Sequence, residues 1–169
     1  MQSGSMYVRV GVATAMAVML AVTGLAAQGN KGTVQLQAVG TLQIDSLGGA
    51  VTPIYAFGFE VTNSVAQGGG GGGVGKTTLS DVQLSRLPDA MSPSLFRTGV
   101  MGTHLATVRI VLSGAGKNTP DSTYVLNDVL ISGVSNTDGL ERVSFTFQSI
   151  ELQVGGTQFC YDVVANKAC

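Results

Sequence analysis

Past residue 30 the pattern that most constrains this chain is alternation with a period of two, which an extended strand satisfies and a helix does not. Tyr55-Ala56-Phe57-Gly58-Phe59-Glu60-Val61 sets its large side chains on one face and Ala56, Gly58 and Glu60 on the other. Thr33 to Gln37, Leu42 to Asp45 and Phe159 to Val163 alternate in the same way. His104 to Leu112 is apolar on both parities, the pattern of a strand covered on both sides, and Tyr124 to Ile131 is similar with Asn127 and Asp128 interrupting. From Val143 the phase changes midway: Val143, Phe145 and Phe147 share one parity, Ile150, Leu152 and Val154 the other. A β-bulge near Gln148 or Ser149 would bring both sets to the core. Gly48-Gly49, Gly114 to Asn118, Asn136 to Gly139 and Gly155-Gly156 supply turns between the runs. One segment departs from the pattern. Ser92 as N-cap before Pro93, and Gly102 as a stop, predict a short helix over Pro93 to Met101, weakened by Gly99. Many short strands, glycine-rich turns and one helix make this a mainly β chain, a sandwich or barrel.

The first residues read as a targeting signal, outside that fold. Val10 to Ala27 carries no charge, Arg9 precedes it, and Gln28-Gly29-Asn30-Lys31 restores polarity. A positive start, a short apolar run and small residues at its end (Gly24, Ala26, Ala27) form the pattern of a secretory signal peptide. Residues 1–27 are therefore expected to be removed and 28–169 to form the mature domain; the alternative is an uncleaved anchor helix. Contact with a membrane is expected only through this segment, before cleavage.

Composition narrows function. Nine Lys and Arg against ten Asp and Glu give a net charge of -1, which excludes the basic surface of a nucleic-acid binder. Charged residues are only 11% of the chain, so little electrostatic repulsion keeps copies apart. Gly70 to Thr77 matches G-x-x-x-x-G-K-T, the phosphate-cradling loop of nucleotide-binding proteins. That chemistry needs a helix N-terminus after the loop. Lys76 to Leu84 has strand composition instead, and the unbroken run Gly68 to Gly73 satisfies glycine patterns cheaply. The segment 67–76 reads as a long loop between strands, and no nucleotide is expected.

Four stretches in fixed order carry a resemblance: Tyr55-Ala56-Phe57-Gly58; the loop Gly69 to Lys76; Ser92-Pro93-Ser94-Leu95 leading to Gly102-Thr103-His104; and Leu126 to Ser135. Glu141 to Phe147 follows at a compatible distance. Together, over roughly Val51 to Val154, they resemble the haemolysin-coregulated protein (Hcp) family, the tube proteins of type VI secretion. The resemblance implies a β-barrel of two sheets with one short flanking helix. It implies homo-hexameric rings stacked into a hollow tube, with small secreted effector proteins carried inside. It also implies inter-ring contacts through the glycine loop, Gly68, Gly69, Gly70, Gly71, Gly72, Gly73, Val74, Gly75 and Lys76, and a lumen-facing position for Ala56 and Gly58. Where the family commonly has Trp-Ser-Trp-Gly this chain has Tyr55-Ala56-Phe57-Gly58, which keeps the aromatic face. The signal segment is a second departure, since the family's subunits assemble in the cytoplasm and are then extruded. Two localisations follow: secreted or periplasmic through the signal peptide, or cytoplasmic and extruded.

The remaining reactive residues offer no catalytic, cofactor or metal site. His104, the single histidine, has no activated nucleophile or second ligand beside it in sequence and reads as structural. Asp128 interrupts an apolar run, which predicts a buried ion pair with Arg109 or a backbone donor. Cys160 and Cys169 lie in the C-terminal strand and tail, 155–169. After export they would form a disulfide; the alternatives are a free Cys169 or an intermolecular bridge. The family does not supply this feature. The function expected is a non-enzymatic ring or tube protein, the alternative an exported monomeric β-barrel binding module.

Overall fold

A computed structural model of the chain describes residues 35–65 and 74–169. The apolar run Val10 to Ala27 and the glycines Gly68 to Gly73 lie outside the described residues. In chain order the strands are β1 (Gly40–Gln43), β2 (Val51–Ile54), β3 (Ala56–Gly58), β4 (Val61–Val65), β5 (Val74–Leu79), β6 (Val82–Arg86), β7 (Leu105–Leu112), β8 (Ser122–Thr137), β9 (Leu140–Val154), β10 (Thr157–Asp162) and β11 (Lys167–Ala168). A 3-10 turn at Asp45–Leu47 follows β1, and the helix α1 (Ser92–Met101) lies between β6 and β7. Gln35 to Gln37 does not form the strand expected there; the chain enters the sheet at Gly40.

Pairing runs β2–β1–β7–β8–β9–β6–β3 and closes on itself. Only Tyr55 separates β2, which pairs with β1, from β3, which pairs with β6. Its amide donates to the Ser85 carbonyl at 2.8 Å, so the chain passes from one neighbour to the other without a gap. The result is a β-barrel filled by Leu42, Ile44, Ile54, Val82, Leu84, Val108, Ile110, Leu126, Val129, Val143 and Phe145, all buried. β10 extends the sheet along the second half of β9, and β11 lies outside it. β4 and β5 form a separate two-stranded sheet.

Several local expectations are corrected. β7 is not covered on both sides throughout: Leu105 is buried on one parity and Val108 and Ile110 on the other, while Ala106 and Arg109 are exposed. The phase change in β9 does bring Val143, Phe145, Phe147 and Ile150 to the core, but without an extra residue at Gln148 or Ser149. Leu126 stands opposite Ile150 and Val129 opposite Phe147, so both strands change face together and the count is kept. The turn-over sits at Asp128, whose φ of 49° is left-handed. The register shift occurs elsewhere, between Ile131 and Gly133, at Ser132.

The helix begins at Ser92, with Met91 as the flanking residue and no side-chain cap. Ser92 Oγ accepts from the Asp89 amide and donates to Glu141 instead, both at 3.1 Å. Gly102 ends the helix in a left-handed conformation, as expected. Gly99 has a packing reason: a Cβ there would lie 3.3 Å from Ile131 Cγ2, so its small size lets α1 approach β8. Gly155 and Gly156, at φ 55° and 84°, make the tight turn from β9 to β10.

Candidate functional site

The β4–β5 hairpin carries the assembly residues expected from the sequence, with different bounds. Val74, Gly75 and Lys76 belong to β5, not to a loop: Val65 pairs with Val74, and Asn63 with Thr77. The expected loop thus reduces to residues 67–73, all outside the described residues. Thr77 Oγ1 donates to Asn63 Oδ1 at 2.6 Å across the hairpin, and Lys76 lies exposed on a strand. The helix N-terminus that a phosphate cradle requires is not there, since Lys76 and Thr77 are followed by more strand.

The hairpin is rooted firmly. The Glu60 amide donates to Ser80 Oγ at 2.8 Å, and the Ser80 amide returns to the Glu60 carbonyl at 2.9 Å. Next to it Asp81 accepts from Ser132 Oγ at 2.6 Å and from Thr146 Oγ1 at 2.5 Å. One carboxylate therefore ties the hairpin's exit to β8 at its register shift and to β9. Asp81 escaped the sequence reading because its partners lie 51 and 65 residues away.

Ala56 and Gly58 lie on the exposed face of β3, while Phe57 turns inward. Phe57, Phe59 and Tyr124 form an aromatic cluster, with centroid separations of 4.8 to 5.9 Å. Burial there pushes the Tyr124 phenol above its ordinary pKa. Gly58 stands opposite Gln83, and Gln83 opposite Ser144, so a strip of small or uncharged side chains crosses this sheet.

The buried charge is not where the sequence reading put it. Asp128 is exposed and meets His104, with Nδ1 and Oδ1 at 2.6 Å; Arg109 is not its partner. The polar turn-over of two paired strands lifts Asp128 out of the apolar run that appeared to bury it. The buried ion pair involves Arg86, fully enclosed, which contacts Asp89 and Glu141. The two carboxylates share the enclosed guanidinium. Burial tends to raise the Asp89 pKa, but the Arg86 guanidinium and the amides of Met91 and Ser92 outweigh it, and the carboxyl lies below its ordinary value. Strand parity could have found this pair. Arg86 shares the face of Val82 and Leu84, and Glu141 that of Val143 and Phe145.

At the C-terminus the Cys160 and Cys169 sulfurs are bonded, with their Cα atoms 5.3 Å apart. Among the described residues no three His, Cys, Asp or Glu gather as metal ligands, and no helix is long and apolar enough to cross a membrane.

Comparison with known proteins gives a consistent picture. The family described as "Type VI secretion system effector, Hcp" matches residues 50–154, from the start of β2 to the end of β9. No curated protein matches the chain. Among solved structures, Hcp1 from Salmonella typhimurium superposes with a TM-score of 0.62 at 21% identity, over 79% of this chain and all of its own. A type VI secretion system effector from Yersinia pestis gives 0.54 at 22% identity, over 73% of this chain and 99% of its own. Hcp3, a secreted protein from Pseudomonas aeruginosa, gives 0.52 at 22%, over 66% and 75%. At these identities the likeness establishes a shared fold.

Proposed function

The chain belongs to the Hcp family of type VI secretion proteins, and from that premise we propose that it is a structural, non-catalytic protein whose copies join into six-membered rings. The rings stack into a tube, and small effector proteins travel in its lumen. The observation that carries this reading is the family match over residues 50–154, which takes in the hairpin and every barrel strand but β1. Two further features support it. A chain with 11% charged residues offers little repulsion between copies. The small exposed side chains of Ala56 and Gly58 suit a wall past which cargo moves. In this reading the segment that joins β4 to β5 in sequence meets the neighbouring ring, and no nucleotide, nucleic acid or metal takes part.

Light scattering on the purified chain, with electron microscopy of the same sample, tests the proposal. Hexamers and rings are expected. A monomer at every concentration would remove the ring and leave the second reading, an exported monomeric binding module. That reading draws support from the leader-like residues 1–27 and from the Cys160–Cys169 bond, which belongs to an oxidising compartment. Sequencing the N-terminus of the protein from cell and culture fractions separates the routes. A start at Ala27 or Gln28 means signal-peptide export; a start at Met1 or Met6 means a cytoplasmic subunit available for extrusion.

A further inference from the structure

The sheet ends at β10, and that end is only partly covered. β10 pairs along its inner side with β9, from Thr157 opposite Val154 to Asp162 opposite Ser149. On its outer side β11 covers Tyr161 and Asp162, and Cys169 meets Cys160. Thr157 to Phe159 have no outer strand among the described residues, and Phe159 is 60% exposed. An open strand edge is a template for another chain, and proteins guard such edges with charge or with a covering segment. Here the guard is β11, which also brings Lys167 opposite Asp162.

Besides one covalent bond, that guard is held by two ladder pairs and a few exposed hydrogen bonds. β11 has two residues, and the amide of Cys169 donates to the Cys160 carbonyl at 3.2 Å. The turn before it is closed by Tyr161 Oη donating to Asn166 Oδ1 and the Ala165 amide donating to Asp162 Oδ1, each at 2.7 Å. Such exposed bonds contribute about 1 kcal/mol each, whereas ordering each backbone residue costs about 1–2 kcal/mol. Without a link from Cys160 to Cys169 the balance favours release of the tail.

We propose that the Cys160–Cys169 bond is a redox latch on the sheet edge. Intact, it holds β11 over β10. Reduced by a dithiol, it frees β11 and Lys167 and opens β10 along its whole length to a strand of a second copy. One thiolate of the reductant attacks the exposed Cys169 sulfur, forming a mixed disulfide and releasing Cys160 as a thiolate that takes up a proton. The second thiol then displaces Cys169, leaving two cysteine thiols and an oxidised, cyclic reductant. A second copy is the fitting occupant because β10, Thr157 to Asp162, carries one charged residue and the chain's net charge is only -1. The latch does not depend on ring formation.

The test uses the full chain, oxidised or treated with dithiothreitol and then alkylated to hold the thiols open. Amide hydrogen exchange followed by mass spectrometry, and light scattering, are compared. Reduction is expected to raise exchange across residues 160–169 by about ten-fold or more, while Val82–Arg86 and Leu105–Leu112 stay protected. The mass in solution should rise above that of the oxidised sample, whatever its baseline assembly. Phe159→Lys should keep the gain in exchange and suppress the gain in mass. The double variant Cys160→Ser/Cys169→Ser should behave as the reduced protein without reagent. Unchanged exchange, loss of protection throughout the barrel, or unchanged mass would each overturn the latch.

Discussion

Arg86 and Glu141 stand directly opposite each other on the core side of neighbouring strands β6 and β9, with Arg86 Nη1 3.3 Å from Glu141 Oε2. Ser92 Oγ donates to that same carboxylate oxygen, so the pair also fixes the start of α1. Glu141→Gln takes one of two carboxylates from an enclosed cation, leaving Asp89, and should destabilise the fold by about 2 kcal/mol, read by chemical denaturation. The double variant Arg86→Met/Glu141→Leu should recover most of that loss, because it removes both desolvation costs. Strictly additive losses would show that the two residues are not coupled.

Acid should attack the same corner. The folded pKa of Asp89 is depressed, so its contribution is present above the unfolded value of 3.8 and is lost as pH falls through the folded value. Asp89→Asn should therefore lower the melting temperature at neutral pH and flatten its decline below about pH 4. Parallel acid limbs in the two proteins would assign the decline to other carboxylates.

Asp128 occupies a left-handed conformation within β8, where its side chain meets exposed His104. Asp128→Gly should be close to neutral, since relief of the backbone offsets loss of a surface contact. Asp128→Val should cost about 2 kcal/mol, because a β-branched side chain resists positive φ. Equal stabilities for the two variants, measured by thermal melts, would place the turn-over elsewhere.

Asp81→Ala removes the acceptor shared by Ser132 and Thr146. Amide exchange in β4 and β5 should rise while the barrel strands stay protected. Coincident loss of protection in β8 and β9 would show that Asp81 serves the barrel as a whole.

Deleting three residues of Gly68 to Gly73 should change the melting temperature little, because loop-closure entropy varies slowly with length. The same deletion should impair stacking while sparing rings, as judged by electron microscopy. Normal long tubes would reduce the segment to a linker.

The β class, the turns and the helix α1 were legible because side-chain parity and glycine placement are local signals. Arg86 and Glu141 were legible in principle by the same parity, yet a charged residue on a core face is easily dismissed without its partner in view. The change of face at Asp128 could not be read from β9 alone, since a bulge in one strand and a joint turn-over of two strands produce the same pattern. Asp81 was hidden for another reason. Its hydrogen bonds to Ser132 and Thr146 depend on long-range register, which no window of sequence contains.

Closure of the barrel through Tyr55 also sets an order of events. β6 must join β9, with Val82 opposite Phe145, across roughly sixty residues of intervening chain. At about 5–20 residues per second, β6 waits several seconds on the ribosome before β9 is complete. During that interval β3 and β6 can pair locally, but β6 keeps one edge bare. Residues 82–86 are thus a stretch whose bare edge a nascent chain of this topology must keep from other chains.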